Sequence, residues 1–540
     1  MSRWMDHLTI APIILPLLAG ALMVLAGERR RRLQIVLGLV STLGLLGLAI
    51  TLLLQVDGVA PGAEAVVRVY RLGNWPAQFG IVLALDRLSA LMLLLTAVLG
   101  LAALTFSLAR WHHAGVHFHP LFQFQLLGLN GAFLTGDLFN LFVFFEVLLA
   151  ASYGLVLHGS GTARVRTGLH YIAVNLVASL LFLIGASMIY GLAGTLNMAD
   201  LAARIPALAA EDRGLLEAGA AILGVAFLIK AGMWPLGFWL PTTYAAASAP
   251  AAAILSILSK VGVYAVLRLW LLLFGEGAGA SAGFGGGWLV AGGLLTIGFG
   301  SIAVLATQNM ARLAGASVLV SSGTLLAAVG AGQVAVSGGA LFYLASSVLA
   351  LAALFLLIEL VERGRGVGAD VLAVTREAFG EGEEEELEDE EVGVAIPATI
   401  ATLGLSFFTC ALLLAGLPPL SGFLAKFAML APLFAPGEGG VPATSWALLA
   451  ALLLSGMATI VAMTRAGIDA FWAAPDDAVL RVGVVEIAPV MVLLALCIGL
   501  TVGAGPAMRY MEATAATLHA PAGYVRGILS AAPGTRGGSP

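Results

Sequence analysis

Leu228-Ile229-Lys230-Ala231-Gly232-Met233-Trp234-Pro235-Leu236-Gly237-Phe238-Trp239-Leu240-Pro241 decides the fold. It closes an apolar run, 215–240, long enough to cross a bilayer, for which about 20 residues suffice. Pro235 lies inside that run. A proline removes one helical hydrogen bond and clashes with the preceding turn, so the helix is predicted to kink or break there. Lys230 stands about one turn earlier, near mid-span. An ionisable group at that depth costs about 3 kcal/mol to insert, which makes it a functional candidate.

The pattern recurs. Ala231-Gly232-Met233-Trp234-Pro235-Leu236 and Ala415-Gly416-Leu417-Pro418-Pro419-Leu420 share AG-x-x-PL, and Lys426 follows the second copy. Two proline-interrupted spans at corresponding places in two halves point to a transporter site built on an internal repeat.

Composition sets the class. Of 540 residues, 60% are hydrophobic and 11% charged, with mean hydropathy +1.00. Soluble domains carry roughly 25% charged residues, so this is a polytopic membrane protein. Net charge is -5, without a basic stretch suited to nucleic acid. Cys410 and Cys497 both fall in apolar spans and read as small apolar filler. His112, His113, His117 and His119 cluster in a loop and read as interfacial. No Gly-rich phosphate loop, CxxC pair, haem motif or catalytic triad is visible, so no cofactor, metal ligand or catalytic residue is expected.

About fourteen spans fit: 8–26, 33–56, 86–108, 120–135, 138–157, 169–192, 215–240, 249–271, 286–306, 312–331, 336–361, 396–433, 445–464 and 484–505. The fold class is therefore an all-α polytopic membrane protein with two inverted five-helix repeats, spans four to eight and nine to thirteen. Spans seven and twelve are the broken ones, and an offset of five helices turns the second copy over in the membrane. The chain divides into 1–119, three helices with a short hairpin; 120–271, the first repeat; 272–464, the second repeat with an acidic loop at 362–394; and 465–540, a last helix and flexible tail. Arg29 to Arg32 follow the first span, which the positive-inside rule assigns to the cytoplasm, leaving the N-terminus outside. The run 381–391 holds nine carboxylates and reads as a solvated loop or a partner-docking surface.

Few charges remain at mid-depth. Glu146 is central in span five, Lys230 in span seven and Lys260 in span eight, and Lys426 follows the break in span twelve. Of 26 basic residues, these three are the only lysines. Lysine changes its protonation readily when buried and arginine does not, so the pattern suits a proton relay. At about 4 Å and an effective dielectric near 20, Glu146 would attract the Lys230 ammonium by roughly 4 kcal/mol, enough to switch it between holding and releasing a proton. The alternatives are a static ion pair that fixes packing, and snorkelling of Lys260 and Lys426 to an interface. Arg268 reads as snorkelling, Asp137 as interfacial or a proton entrance, and Phe142 to Phe145 as a lipid-facing or packing surface.

At these residues the sequence resembles the proton-translocating membrane subunits shared by respiratory complex I and the multisubunit Mrp-type cation/proton antiporters. The D-type antiporter subunits are the nearer likeness, through Gly136-Asp137-Leu138-Phe139-Asn140-Leu141-Phe142-Val143-Phe144-Phe145-Glu146, Leu258-Ser259-Lys260-Val261-Gly262-Val263-Tyr264 and Gly416-Leu417-Pro418-Pro419-Leu420-Ser421-Gly422-Phe423 with Lys426. The resemblance implies a bacterial inner-membrane protein that moves protons in exchange for Na+ or K+. Its implied partners are a larger homologous A-type subunit and several small membrane subunits. A membrane-arm subunit of a redox-driven complex is the alternative. Many relatives carry histidines in spans ten and eleven. Here Ser321-Ser322 and Ser346-Ser347 stand in those places, as accessory candidates.

Overall fold

Long runs that are apolar and nearly free of charge leave a backbone in lipid one economical way to satisfy its polar groups, the helix. In the computed structural model the described residues are 7–57, 67–78, 80–111, 117–159, 161–363, 398–435, 440–471 and 482–530. His112, His113, the acidic run 381–391 and residues 531–540 lie outside them.

The chain begins with α1 (Ala11–Ala26) and α2 (Arg31–Asp57). An antiparallel hairpin follows, β1 (Arg68–Arg71) with β2 (Val82–Leu85), the short hairpin expected within 1–119. Next come α3 (Arg87–Ser107), α4 (Phe118–Leu134), α5 (Leu138–Leu157), α6 (Thr162–Ala193) and the short α7 (Met198–Arg204). α8 (Arg213–Ala231) is continued beyond a break by α9 (Leu240–Ala246), and α10 (Ala249–Leu273) ends the first half. The second half is α11 (Gly286–Ala306), α12 (Met310–Gly330), α13 (Val334–Glu362), α14 (Ala398–Ala415) with its continuation α15 (Ser421–Leu430), and α16 (Ala443–Phe471). α17 (Val484–Val502), α18 (Ala504–His519) and α19 (Ala522–Ser530) close the chain. Twelve of these helices are long and apolar enough to cross a membrane. α1 is a shorter apolar helix, and α4 falls where the fourth span was expected, so the count is roughly the expected fourteen. α10 and α13 are wrapped by other helices along their length, whereas α2, α6 and α17 expose much of theirs.

The two breaks are built alike, but by glycine rather than proline. α8 stops because Gly232 takes φ 79°, which lets the Met233 N–H reach back to the Leu228 carbonyl at 3.0 Å. α14 stops at Gly416, φ 75°, with the Leu417 N–H on the Leu412 carbonyl at 3.0 Å. Only glycine adopts that left-handed conformation cheaply, and proline then follows where the helix has already ended. Pro235, Pro418 and Pro419 thus lie beyond the breaks. The Trp234–Pro235 and Pro418–Pro419 peptide bonds are cis.

The tail differs from expectation. Residues 504–530 form two docked helices instead of a flexible coil. Alanine favours helix, and Pro506 falls in the first turn, where no hydrogen bond is lost. Met511, Thr514, Ala515 and Leu518 make one buried stripe at helical spacing. The Tyr510 hydroxyl donates to the Arg87 carbonyl at 2.8 Å, and Arg71 of the hairpin donates to the Ile528 carbonyl at 3.2 Å.

Arg268 does not snorkel. Its side chain is 6% exposed and forms a two-pronged ion pair with Asp86, which also caps α3 by accepting the Ser89 N–H at 2.9 Å. The guanidinium packs over the rings of Tyr264 and Tyr524, 5.5 and 5.2 Å from their centroids. Burial pushes the Asp86 carboxyl up, but the adjacent Arg268 outweighs it and holds the group below the ordinary carboxylate range. The arginine finds its counter-charge inside because the loop before α3 delivers one there. His119, likewise, is buried against Phe118 rather than solvated, because it falls in the first turn of α4.

Two outcomes follow. Gly232→Ala and Gly416→Ala each force an L side chain into the left-handed region, at about 1–2 kcal/mol. Both should lower the thermal midpoint of the detergent-purified protein relative to Gly47→Ala, whose added methyl meets nothing. Midpoints indistinguishable from Gly47→Ala would discard the glycine account of the breaks. Separately, Asp86→Leu or Arg268→Met alone leaves a buried charge unpaired, costing about 3–5 kcal/mol, and the double variant should recover most of the loss. A double variant no better than the worse single one would rule out an energetic coupling.

Candidate functional site

α8 carries Lys230 in its last turn, where carbonyls without intrahelical partners form the negative end of the helix. The ammonium is buried, has no hydrogen-bond partner among the described residues and rests 5.1 Å from the centroid of the Phe145 ring. Phe145 is itself buried, held edge-on by Phe182 and Phe227. This part of the aromatic run is therefore a seat for the lysine rather than a lipid-facing surface.

Glu146 is one residue further along α5. Its carboxylate accepts a hydrogen bond from Ser179 of α6. The 4 Å pair with Lys230 expected from sequence is not formed in this conformation. The reason is angular: successive residues on a helix diverge by about 100°, so the face that offers Phe145 to α8 turns Glu146 toward α6.

Lys260 lies at the centre of α10 and is wholly buried. Gly262 brings that helix against the break: a Cβ there would stand 2.5 Å from the Ala231 nitrogen. The Lys260 ammonium donates to the Ser322 hydroxyl of α12 at 3.0 Å. Lys426, five residues into α15, reaches back and donates to the Ala415 and Leu414 carbonyls at 2.8 and 3.4 Å. These are the last carbonyls of α14, so the second broken helix offers its first half's C-terminal end to a lysine, which the first does not. Burial by protein replaces the snorkelling reading for both Lys260 and Lys426.

Ser321 donates to Ser347 of α13 at 3.0 Å. Asp137 caps the start of α5, accepting the Asn140 N–H at 2.9 Å, about 13 Å along the helix from Glu146. Burial holds its carboxyl above the ordinary range, against hydrogen bonds from the Asn140 and Phe139 amides. The sequence reading missed Ser179 and Phe145 as partners. The only available signal was a hydroxyl and a ring within apolar spans whose neighbours were unknown.

The NADH:quinone oxidoreductase/Mrp antiporter transmembrane family matches residues 135–458. The chain is 61% identical to the D subunit of a probable K(+)/H(+) antiporter of Rhizobium meliloti, over 98% of this chain and 99% of that one. It is 33% identical to the D subunit of the Na(+)/H(+) antiporter of Bacillus subtilis, over 97% of this chain and 100% of that one. Among solved structures, one chain of the Mrp complex from Dietzia superposes with a TM-score of 0.80 at 25% identity, covering 98% of this chain and 100% of that one. A chain of respiratory complex I from Thermus thermophilus shares the fold, with a TM-score of 0.72, 23% identity and coverage of 97% and 99%. The chain belongs to the NADH:quinone oxidoreductase/Mrp antiporter transmembrane family, and within it groups with the D-type subunits of the antiporters.

Proposed function

We propose that this chain is the proton-translocating subunit of a multisubunit monovalent cation/proton antiporter in a bacterial inner membrane, a secondary transporter rather than an enzyme. The observation that carries the reading is the placement of three lysines, buried in protein, at or beside two matching helix breaks. A buried ammonium without an acceptor is costly, and neither side chain nor carbonyl relieves Lys230. Such a group is poised to release its proton when Glu146 stays on Ser179, and to hold it when the carboxylate swings across. In that scheme Glu146 sets the charge on Lys230, and Lys260 and Lys426 carry the proton onward. Asp137, at the end of α5 beside the hairpin, is assigned to the entrance or exit. The N-terminus and the hairpin lie outside the cell, and the arginines after α1 lie inside.

The 61% identity to a chain named for K+ and the 33% identity to chains named for Na+ support antiport over redox-driven pumping as the driving process. A 30% match to the N-type subunit of an NADH-quinone oxidoreductase marks the alternative. Mild-detergent purification of the tagged protein separates them. A larger homologous A-type subunit and several small membrane subunits are expected to accompany it. Flavin or iron–sulfur subunits in their place would transfer the protein to a redox-driven complex.

The relay has its own test. In everted vesicles that contain the assembled complex, a pH-sensitive dye reports proton movement when K+ or Na+ is added. Lys230→Ala should slow exchange by about a hundredfold or more, the usual contribution of a positioned proton-transfer group. Wild-type exchange in the assembled variant would remove Lys230 from the mechanism.

A further inference from the structure

Three buried polar residues stand in line along α10. Lys260 comes first, Tyr264 is about one turn on, and Arg268 about two turns on, roughly 12 Å from the lysine along the axis. Leu272, a further turn past Arg268, lines a cavity of about 40 Å³ together with Asp86, Arg87, Arg268, Thr517 and Tyr524. The cavity therefore lies on the side of Arg268 away from Lys260, towards the hairpin and the last two helices. It is polar and large enough for water.

The groups between this cavity and Lys260 are bonded in a way that stops a proton. A proton travels along groups that accept on one side and donate on the other. Arginine has donors only and stays protonated in proteins. Arg268 directs its N–H groups to both Asp86 oxygens, to the Ser89 hydroxyl at 3.2 Å and to the Tyr264 hydroxyl at 3.4 Å. Both hydroxyls then donate to main-chain carbonyls, Tyr264 to Phe133 at 2.8 Å and Ser89 to Ala84 at 3.4 Å. A carbonyl passes no proton on, so each branch ends there. Asp86 is held by the guanidinium and by the Ser89 N–H at 2.9 Å, and protonating it would break a charge-assisted pair. Rings fill the space beside these bonds. Tyr264 meets Phe133 edge-on with centroids 4.9 Å apart, and the guanidinium lies 5.2 Å from the centroid of the Tyr524 ring.

We propose that Arg268 and Asp86, backed by Tyr264, form a seal that isolates Lys260 from water on the hairpin side. The proposal rests on the lysine relay above, because a proton carrier inside the bundle supports exchange only if it does not leak to the far side. The separation of Lys260 from the cavity is short enough for a file of waters to bridge, so the span between them has to be closed. Arginine at a constriction is a general means of excluding protons and cations. The seal asks something specific of these positions, namely that neither water nor an exchangeable group stands there. An ion pair that served packing alone makes no such demand.

The experiment reads proton leak in everted vesicles that contain the assembled complex, with no Na+ or K+ added. Respiration acidifies the interior, an inhibitor stops it, and a pH-sensitive dye follows the decay of the gradient. Asp86→Ser combined with Arg268→Ser leaves small hydroxyls and room for water, and should dissipate the gradient several-fold faster than wild type. Asp86→Leu combined with Arg268→Met fills the space with apolar groups and should stay as tight as wild type. Both double variants lack the ion pair, so a merely structural role would affect them alike. Adding Lys260→Ala to the double serine variant should abolish its leak. A double serine variant as tight as wild type with normal subunit recovery would overturn the seal. So would equal leaks from the two double variants, or a leak that survives Lys260→Ala. If the double serine variant does not assemble, Arg268→Lys decides in its place. It keeps the charge but carries a proton that can be given up, so it should leak, and a tight gradient would overturn the seal. Wild-type cation-driven exchange in Lys260→Ala alone would defeat the relay, a result read separately from the leak.

Discussion

An ammonium inside a lipid-embedded bundle needs acceptors, and an apolar helix has few to offer except the carbonyls left at a break. A continuous helix uses every carbonyl internally until its last turn. Interrupting α8 at Gly232 and α14 at Gly416 therefore creates helix ends that a charge can use. Such irregular backbone is tolerated in a membrane only where protein or water covers it. α10 packs on the first closing turn through Gly262, while Trp234, Pro235, Pro418 and Pro419 beyond the breaks are exposed on the surface of this chain.

The two breaks share a closure but use it differently. In the first half the lysine precedes the break and projects from the closing turn onto an aromatic ring. In the second it follows the break and reaches back to two carbonyls. Lys426 is thus satisfied by neutral acceptors, while Lys230 has none among the described residues, and the carboxylate next to the ring it touches is bonded to Ser179.

Much of this was legible in the chain itself. Span count, the repeated Ala-Gly-x-x-Pro-Leu and the confinement of lysine to three interior positions follow from hydropathy and residue choice, which are local properties. Lys260 and Lys426 needed only depth to be singled out. What stayed hidden was angular or distant. The direction of Glu146 around α5 depends on which neighbour each face meets. The partner of Arg268 lies 182 residues away, so the arginine alone looked like an interfacial anchor. Ser321, Ser322, Ser346 and Ser347 were visible as substitutions, yet their pairing required the packing of α12, α13 and α15. Residues 504–530 misled because their composition resembles a linker, although alanine is also the strongest helix former.

Those last helices bear on how the protein is made. The hairpin of residues 68–85 and the start of α3 are made early in synthesis, yet Tyr510 and Ile528, which bond to Arg87 and Arg71, are made near its end. Ribosomal output of roughly 5–20 residues per second puts about twenty seconds or more between the two. For that interval the Asp86 end of the bundle stands without its covering, with a two-stranded ribbon that is marginal by itself. The end bearing the hairpin is therefore the last part to mature. It is also where a chaperone, or a neighbouring subunit arriving during synthesis, would find exposed apolar surface to hold.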